Sequence, residues 1–338
     1  MKKIRFVSSV ALDAICFIQQ RLLKDKKWMN KAQLAEIESI NRLLPPDFGD
    51  NYIGMSNLSL ILSVFTDNCL ESTSLKELIS IFQRPDLLES VIKDKIKNEF
   101  TASYIVPILE LLKDGYADEY IKKLLILKDI GFEQRYQEQI LPLVESEIRK
   151  NEEGIFDYNT EQLFQNISVL KNKEIISDSK IVVSFFSAPT AFTLCNGSFL
   201  TCFTPKGAVD FFSIIAHELM HGFASGELID LYREYVDRDE YLREMHTRLI
   251  NEFHSGVEEE FVLAAEYYLC LQSGHYSKSA LLQKAKERYG GACPVSVILF
   301  DMLSKEKQIP KDYNQWLKHP FTKGYLPQSN IKDFVDSL

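Results

Sequence analysis

Apolar residues recur at helical spacing over most of this 338-residue chain, which predicts a mostly helical protein. Ser8 and Ser9 precede a periodic stretch to Leu23, and a second runs from Ala32 to Leu44. Pro45-Pro46 ends it, because proline lacks an N–H and clashes with the preceding turn. Ser74-Leu-Lys-Glu77 has the spacing of a capping box and opens a helix through Phe82. Helical periodicity continues over 103–113, 117–130 and 133–150, with breaks at Asp114-Gly115 and at Gly131.

The pattern changes after Gly154. Residues 181–186, Ile-Val-Val-Ser-Phe-Phe, form a β-branched and aromatic run that predicts a strand. Residues 191–195 and 198–203 flank Asn196-Gly197, the signature of a two-residue hairpin turn. From Gly207 to the end the spacing is helical again, with breaks near Gly226, Gly274 and Gly290-Gly291. The expected fold is α+β and mostly helical. A helical N-terminal region spans 1–154, and a domain over 155–338 begins with a small sheet and continues as helices.

Composition narrows the class. Phe (22) and Tyr (15) are too abundant for a disordered chain, and 14 Gly with 11 Pro is too few for a loop-rich one. Lys and Arg (39) against Asp and Glu (48) give −9 with no basic block, which argues against nucleic acid or an anionic membrane as partner. Arg5 and Asp13 interrupt any leader-like apolar run, and no window is long and apolar enough to span a bilayer. The six cysteines are scattered without a C-x-x-C pair. They are expected to be buried free thiols in a cytoplasmic protein.

Thr204-Pro205 reads as an N-cap followed by a first-turn proline, opening the helix that carries His217-Glu218-Leu219-Met220-His221. Histidines four apart lie on one helix face, which suits two imidazoles gripping one zinc ion. Glu218 sits at the edge of that face, where it can hold a metal-bound water and take its proton. Ala208, Phe211, Phe212, Ile215, Leu219 and Phe223 define an apolar stripe, with His217, His221, Asp210, Ser213 and Ala224 opposite. Two core histidines with ordinary hydrogen bonds are the plainer account of the pair.

A catalytic zinc needs a third protein ligand and an open position. Glu227 just past Ser225-Gly226 is one candidate. A better source is the predicted helix Val257–Leu271, whose Glu258-Glu259-Glu260 precedes an almost wholly apolar run. An acidic first turn complementing the helix dipole is the other account of that cluster.

An H-E-x-x-H helix after a sheet, with a glutamate on a later helix, resembles the gluzincin group of zinc metallopeptidases. Glu258-Glu259-Glu260-Phe261 to Glu266-Tyr267 is similar to the N-E-G-F-A-x-x-x-E-Y signature of their aminopeptidase branch. Glu259, Val262 and Ala264 also fit an E-x-x-V-x-A pattern like that of uncharacterised bacterial zincins. The resemblance covers about residues 181–271. It implies a zincin-like core and a zinc-dependent hydrolase of peptide or protein substrates. His217, His221 and Glu259 would be the ligands, Glu218 the general base, and Glu266 the following acidic position. Glu258 and Glu260 replace the asparagine and glycine of that signature, so a one-residue slip to Glu260 stays open. No G-x-M-E-N segment precedes the motif. The family's oxyanion-stabilising Tyr or His has four candidates here: His254, Tyr276, Tyr289 and His319. Ser198–Phe203 is a candidate edge for an extended substrate. The alternative function is a catalytically silent zincin-fold interaction or regulatory module, with the N-terminal helices contacting a protein partner.

Overall fold

The computed structural model describes residues 4–20, 29–48, 71–84, 86, 110, 112–155, 158–175, 180–187, 191–193, 199–203, 208–253 and 255–338. They are mostly helical, with one four-stranded sheet. Two compact units form, one from Lys3–Gly154 with Ile176–Lys206, the other from Ile155–Ile175 with Gly207–Leu338.

The N-terminal unit starts with β1 (Arg5–Val7) and α1 (Val10–Gln20), where Ser9 Oγ accepts the Leu12 N–H as a cap. Helix α2 (Lys31–Asn41) carries a capping box between Asn30 and Gln33 and stops short of Leu44. The Ser74–Glu77 box does open α3 (Leu75–Phe82). Gly115, at φ +103°, breaks the chain before α4 (Ala117–Asp129), and Gly131, at φ +75°, separates α4 from α5 (Phe132–Arg135). A wider π-type turn at Tyr136–Ile140 joins α5 to α6 (Leu141–Ile155). Residues 103–109 and 111 lie outside the described residues.

The sheet is β2 (Lys180–Ser184), β3 (Phe192–Thr193) and β4 (Phe199–Cys202) together with β1, in the order β1-β2-β4-β3. The parallel pairing of β1 with β2, Phe6 opposite Ile181, joins segment 176–206 to the N-terminal unit. The division at 154/155 therefore does not hold for the sheet, which sequence assigned to the second domain. Strands β3 and β4 pair antiparallel, with Thr193 opposite Phe199, and the expected turn at Asn196-Gly197 lies outside the described residues. Nor is β4 an edge: β2 flanks it on one side, and on the other β3 pairs with it at Phe199 and Leu200.

Side chains from α1, α5 and the end of β2 close the core of this unit. Phe17, Phe132 and Phe186 meet with ring centroids 5.3–6.2 Å apart. Buried Asp13 ties α1 to the sheet, its Oδ1 accepting from Ser184 Oγ at 2.5 Å and from the Phe186 N–H at 3.1 Å. Gln33 Nε2 donates to Phe185 O at 2.7 Å.

The C-terminal unit comprises α7 (Thr160–Leu170), α8 (Ala208–Met220), α9 (Gly226–Asp237) and α10 (Glu240–Phe253). It continues with α11 (Glu258–Gln272), α12 (Lys278–Glu287), α13 (Pro294–Leu303), α14 (Tyr313–Thr322) and α15 (Ile331–Ser337). Helix α11 is buried from Glu258 to Cys270 and packs on α8 and α13, with Tyr267 edge-on to Phe300 at 5.8 Å. Cys16, Cys202, Cys270 and Cys293 are buried free thiols, while Cys69 and Cys195 lie outside the described residues. Among the described residues no helix is long and apolar enough to cross a membrane.

Candidate metal centre

Helix α8 is buried on every side along Phe211–Met220 apart from half-buried Ile214, so the two-faced wheel expected for it is not seen. The face of His217 is closed by the acidic first turn of α11 rather than by solvent. The helix also ends sooner than the wheel assumed. Gly222 takes the left-handed conformation at φ +78°, which stops α8 at Met220 and leaves His221 at its C-terminal boundary. The Thr204-Pro205 start lies outside the described residues.

The freed backbone groups at this helix end have partners. Lys171 Nζ donates to the Leu219 carbonyl at 2.9 Å and the His221 carbonyl at 2.7 Å. Burial lowers the Lys171 pKa to about 8, even though Glu258 acts in the opposite direction. Glu258 Oε1 accepts the N–H groups of Gly222, Phe223 and Ala224 at 3.0–3.1 Å. Its Oε2 stands 3.3 Å from His221 Nδ1.

His217 is held in the same way by a different carboxylate. Glu266 Oε2 is 3.0 Å from His217 Nδ1, and the other oxygen accepts from Ser213 Oγ. Both imidazoles thus have Nδ1 against a carboxylate, which makes Nδ1 the protonated nitrogen and, in the neutral ring, leaves Nε2 as a lone pair. Those two lone pairs face each other at 3.2 Å. Glu259 closes the triangle, with one oxygen 3.5 Å from His217 Nε2 and the other 3.9 Å from His221 Nε2.

Facing lone pairs beside a carboxylate repel unless a cation or a proton lies between them. Two nitrogens bound tetrahedrally to one zinc ion at about 2.0–2.1 Å are about 3.3 Å apart, close to the spacing here. The ligand atoms of His217, His221 and Glu259 all lie within 4.8 Å of one another, so the three can hold a metal ion. The charge balance agrees with this. Burial opposes a charged His217, yet Glu259, Glu266 and Glu218 outweigh it and raise its pKa to about 9. His221 is raised against burial by Glu258, Glu218 and Glu259. Burial also opposes ionisation of Glu258 and Glu266, but the imidazoles they accept from bring both below the usual carboxylate range. The cage asks for positive charge.

The remaining glutamates separate by geometry. Glu218 is buried and near enough to both imidazoles to favour their charged forms. Glu260 turns away, accepting from Tyr232 Oη at 2.8 Å and the Ser296 N–H at 2.7 Å. Glu227 is exposed and paired with Lys318, which removes it as a ligand candidate. The three adjacent glutamates are therefore not a solvated first turn, since each is buried with its own partners.

Among the oxyanion candidates, Tyr289 reaches the cluster, its Oη donating to Glu259 Oε1 at 2.8 Å. Burial and Glu259 push its pKa up and keep it a donor. His319 is exposed on α14, Tyr276 lies by Cys270, and His254 falls outside the described residues. Sequence spacing gave no sign of Lys171 or of the role of Glu258. Glu266 was visible as an acidic position, though not as the partner of His217. No protein-family model, curated protein or solved structure matches this chain.

Proposed function

We propose that the C-terminal unit is a zinc-dependent hydrolase of peptide bonds with a zincin-like core, in line with the gluzincin resemblance of its motifs. The observation that carries this reading is the convergence of His217 Nε2, His221 Nε2 and a Glu259 oxygen at ligand spacing, with Glu218 alongside. Three protein ligands leave an open position, as catalytic zinc sites do and closed structural sites do not. A zinc ion bound there supplies Lewis acidity and makes water available as a nucleophile near neutral pH.

The chain's own groups do the rest. Glu218 accepts the proton of the attacking water and passes it to the leaving amine. Glu258 and Glu266 fix the tautomer and direction of the two imidazoles, and Lys171 holds the end of the helix that presents them. Tyr289, whose hydroxyl reaches Glu259, would turn that donor to the scissile carbonyl oxygen and stabilise the negative charge developing there.

The test is hydrolysis of a broad peptide panel by the zinc-loaded chain, with Glu218→Gln as control. Cleavage by the wild type and its loss in the variant, at equal zinc content, supports the reading. Zinc binding without turnover on any peptide would instead favour the silent interaction module.

A further inference from the structure

The C-terminal unit contains a cavity of about 330 Å³ whose lining includes none of the residues given a role above. Its walls come from α10, α12, α13 and α15 and from Gly290-Gly291. Buried Met245, Val297 and Val335 supply apolar lining, and Arg248, Lys286 and Lys332 with Glu244 and Asp336 bring charges of both signs. The volume is at the small end for ligand pockets. An apolar wall with charges of both signs fits a small molecule with an apolar body, an anionic end and a cationic end.

The anion-binding side is already positioned. Arg248 Nε lies 3.5 Å from Glu252 Oε1 and its Nη1 3.6 Å from Met245 Sδ. Its Nη2 is 3.4 Å from where a Cβ on Gly290 would stand, so the guanidinium lies against the loop backbone. A planar fork held in this way suits a carboxylate. Asp336 stands one turn beyond Lys332 on α15, and it is close enough to the Tyr241 phenol to add to the effect of burial in raising its pKa. Lys286 Nζ donates to the Asp336 carbonyl at 3.0 Å and fixes the backbone there.

The loop that walls this cavity also reaches the metal centre. Tyr289, Gly290 and Gly291 are consecutive left-handed residues, at φ +50°, +59° and +85°. A tyrosine in that region is strained, and such strain persists only where surrounding contacts hold it. One of those contacts is the Tyr289–Glu259 hydrogen bond.

We propose that the cavity binds a free apolar amino acid as its zwitterion, its carboxylate on Arg248 and Lys332 and its ammonium on Asp336. The Tyr289–Gly291 loop then couples its occupancy to Glu259. On the hydrolase reading, on which this regulatory role rests, cleavage of a terminal residue releases such an amino acid, and the cavity senses it.

The test is calorimetry on the metal-free full chain, with L-leucine, leucinamide and N-acetylleucine as probes. Saturable one-to-one binding of leucine is expected, with both derivatives clearly weaker. Lys332→Gln and Asp336→Asn change exposed residues and leave the fold intact, and each should weaken leucine binding about fivefold, as for a surface ion pair near 1 kcal/mol. Tyr289→Phe cuts the bond to Glu259 and should weaken it about fivefold as well, the low end of site-to-site coupling. No saturable leucine binding overturns the proposal, as does affinity untouched by both charge variants. N-acetylleucine binding as tightly as leucine overturns the zwitterion. An unchanged affinity in Tyr289→Phe overturns the coupling. With zinc left out, these results are independent of whether the metal reading holds.

Discussion

Glu258→Gln probes the least expected part of the site. The carboxylate accepts from three backbone N–H groups at the end of α8 and stands 3.3 Å from His221 Nδ1. Glutamine keeps the volume and one oxygen, enough for the backbone donors. Its amide then meets His221 Nδ1–H donor to donor, so the imidazole must rotate or move its proton to Nε2, the nitrogen that would hold the proposed zinc ion. Partners of metal-bound histidines are typically worth 10–100-fold in metal affinity, about 1.4–2.7 kcal/mol. Bonds to a charged acceptor contribute about 1.5–3 kcal/mol each, and the amide weakens rather than deletes them, so roughly 2 kcal/mol of stability should also go. Competition against a chromophoric chelator gives the first number, and urea unfolding of the metal-free chain gives the second. A stability loss with wild-type zinc affinity would make Glu258 a helix-end cap with no bearing on the metal. Wild-type values for both would refute the arrangement described here.

Four further outcomes are expected. Glu218→Gln should lower turnover by about 10²–10⁴-fold on any peptide the wild type cleaves, with zinc content unchanged, as measured on the same samples. Glu259→Gln should lose at least about tenfold in zinc affinity, whereas Glu260→Gln, whose carboxylate faces Tyr232 and Ser296, should stay near wild type in the same chelator assay. Lys171→Met removes the donor to two carbonyls at the end of α8 and should cost about 1–3 kcal/mol in urea unfolding. Asp13 is fully buried, and desolvation raises its pKa from 3.8 to about 6 despite its hydrogen bonds. Between those values the folded state binds the extra proton, so stability falls as pH rises from about 4 to about 6, by about 3 kcal/mol for two pKa units. Asp13→Asn should remove that slope, read as the difference between wild-type and variant unfolding curves across the window.

What was legible in the sequence was local. The helix of His217, the acidic turn at 258–260 and the Ser74–Glu77 box each depend on residues a few positions apart. Strand β1 is three residues long and its partner lies beyond residue 179, so no periodicity could announce it, and with it the sheet's membership of the first unit was hidden. Lys171 reaches His221 across 50 residues, and Glu258 reaches it across 37. The end of α8 was readable in principle, because a glycine directly after the second histidine is the usual left-handed stop.

Zinc K-edge absorption on the purified, zinc-loaded chain tests the central claim most directly. The account predicts one zinc per chain in a light-atom shell, two imidazole nitrogens at about 2.0–2.1 Å with carboxylate oxygen at about 2.0–2.2 Å and no sulfur. Zinc should be lost altogether in His221→Ala, since a three-ligand site cannot give up one imidazole. A sulfur contribution near 2.3 Å would put the metal on the cysteines, and zinc that dialyses away would leave the cage to a proton; either result contradicts the account.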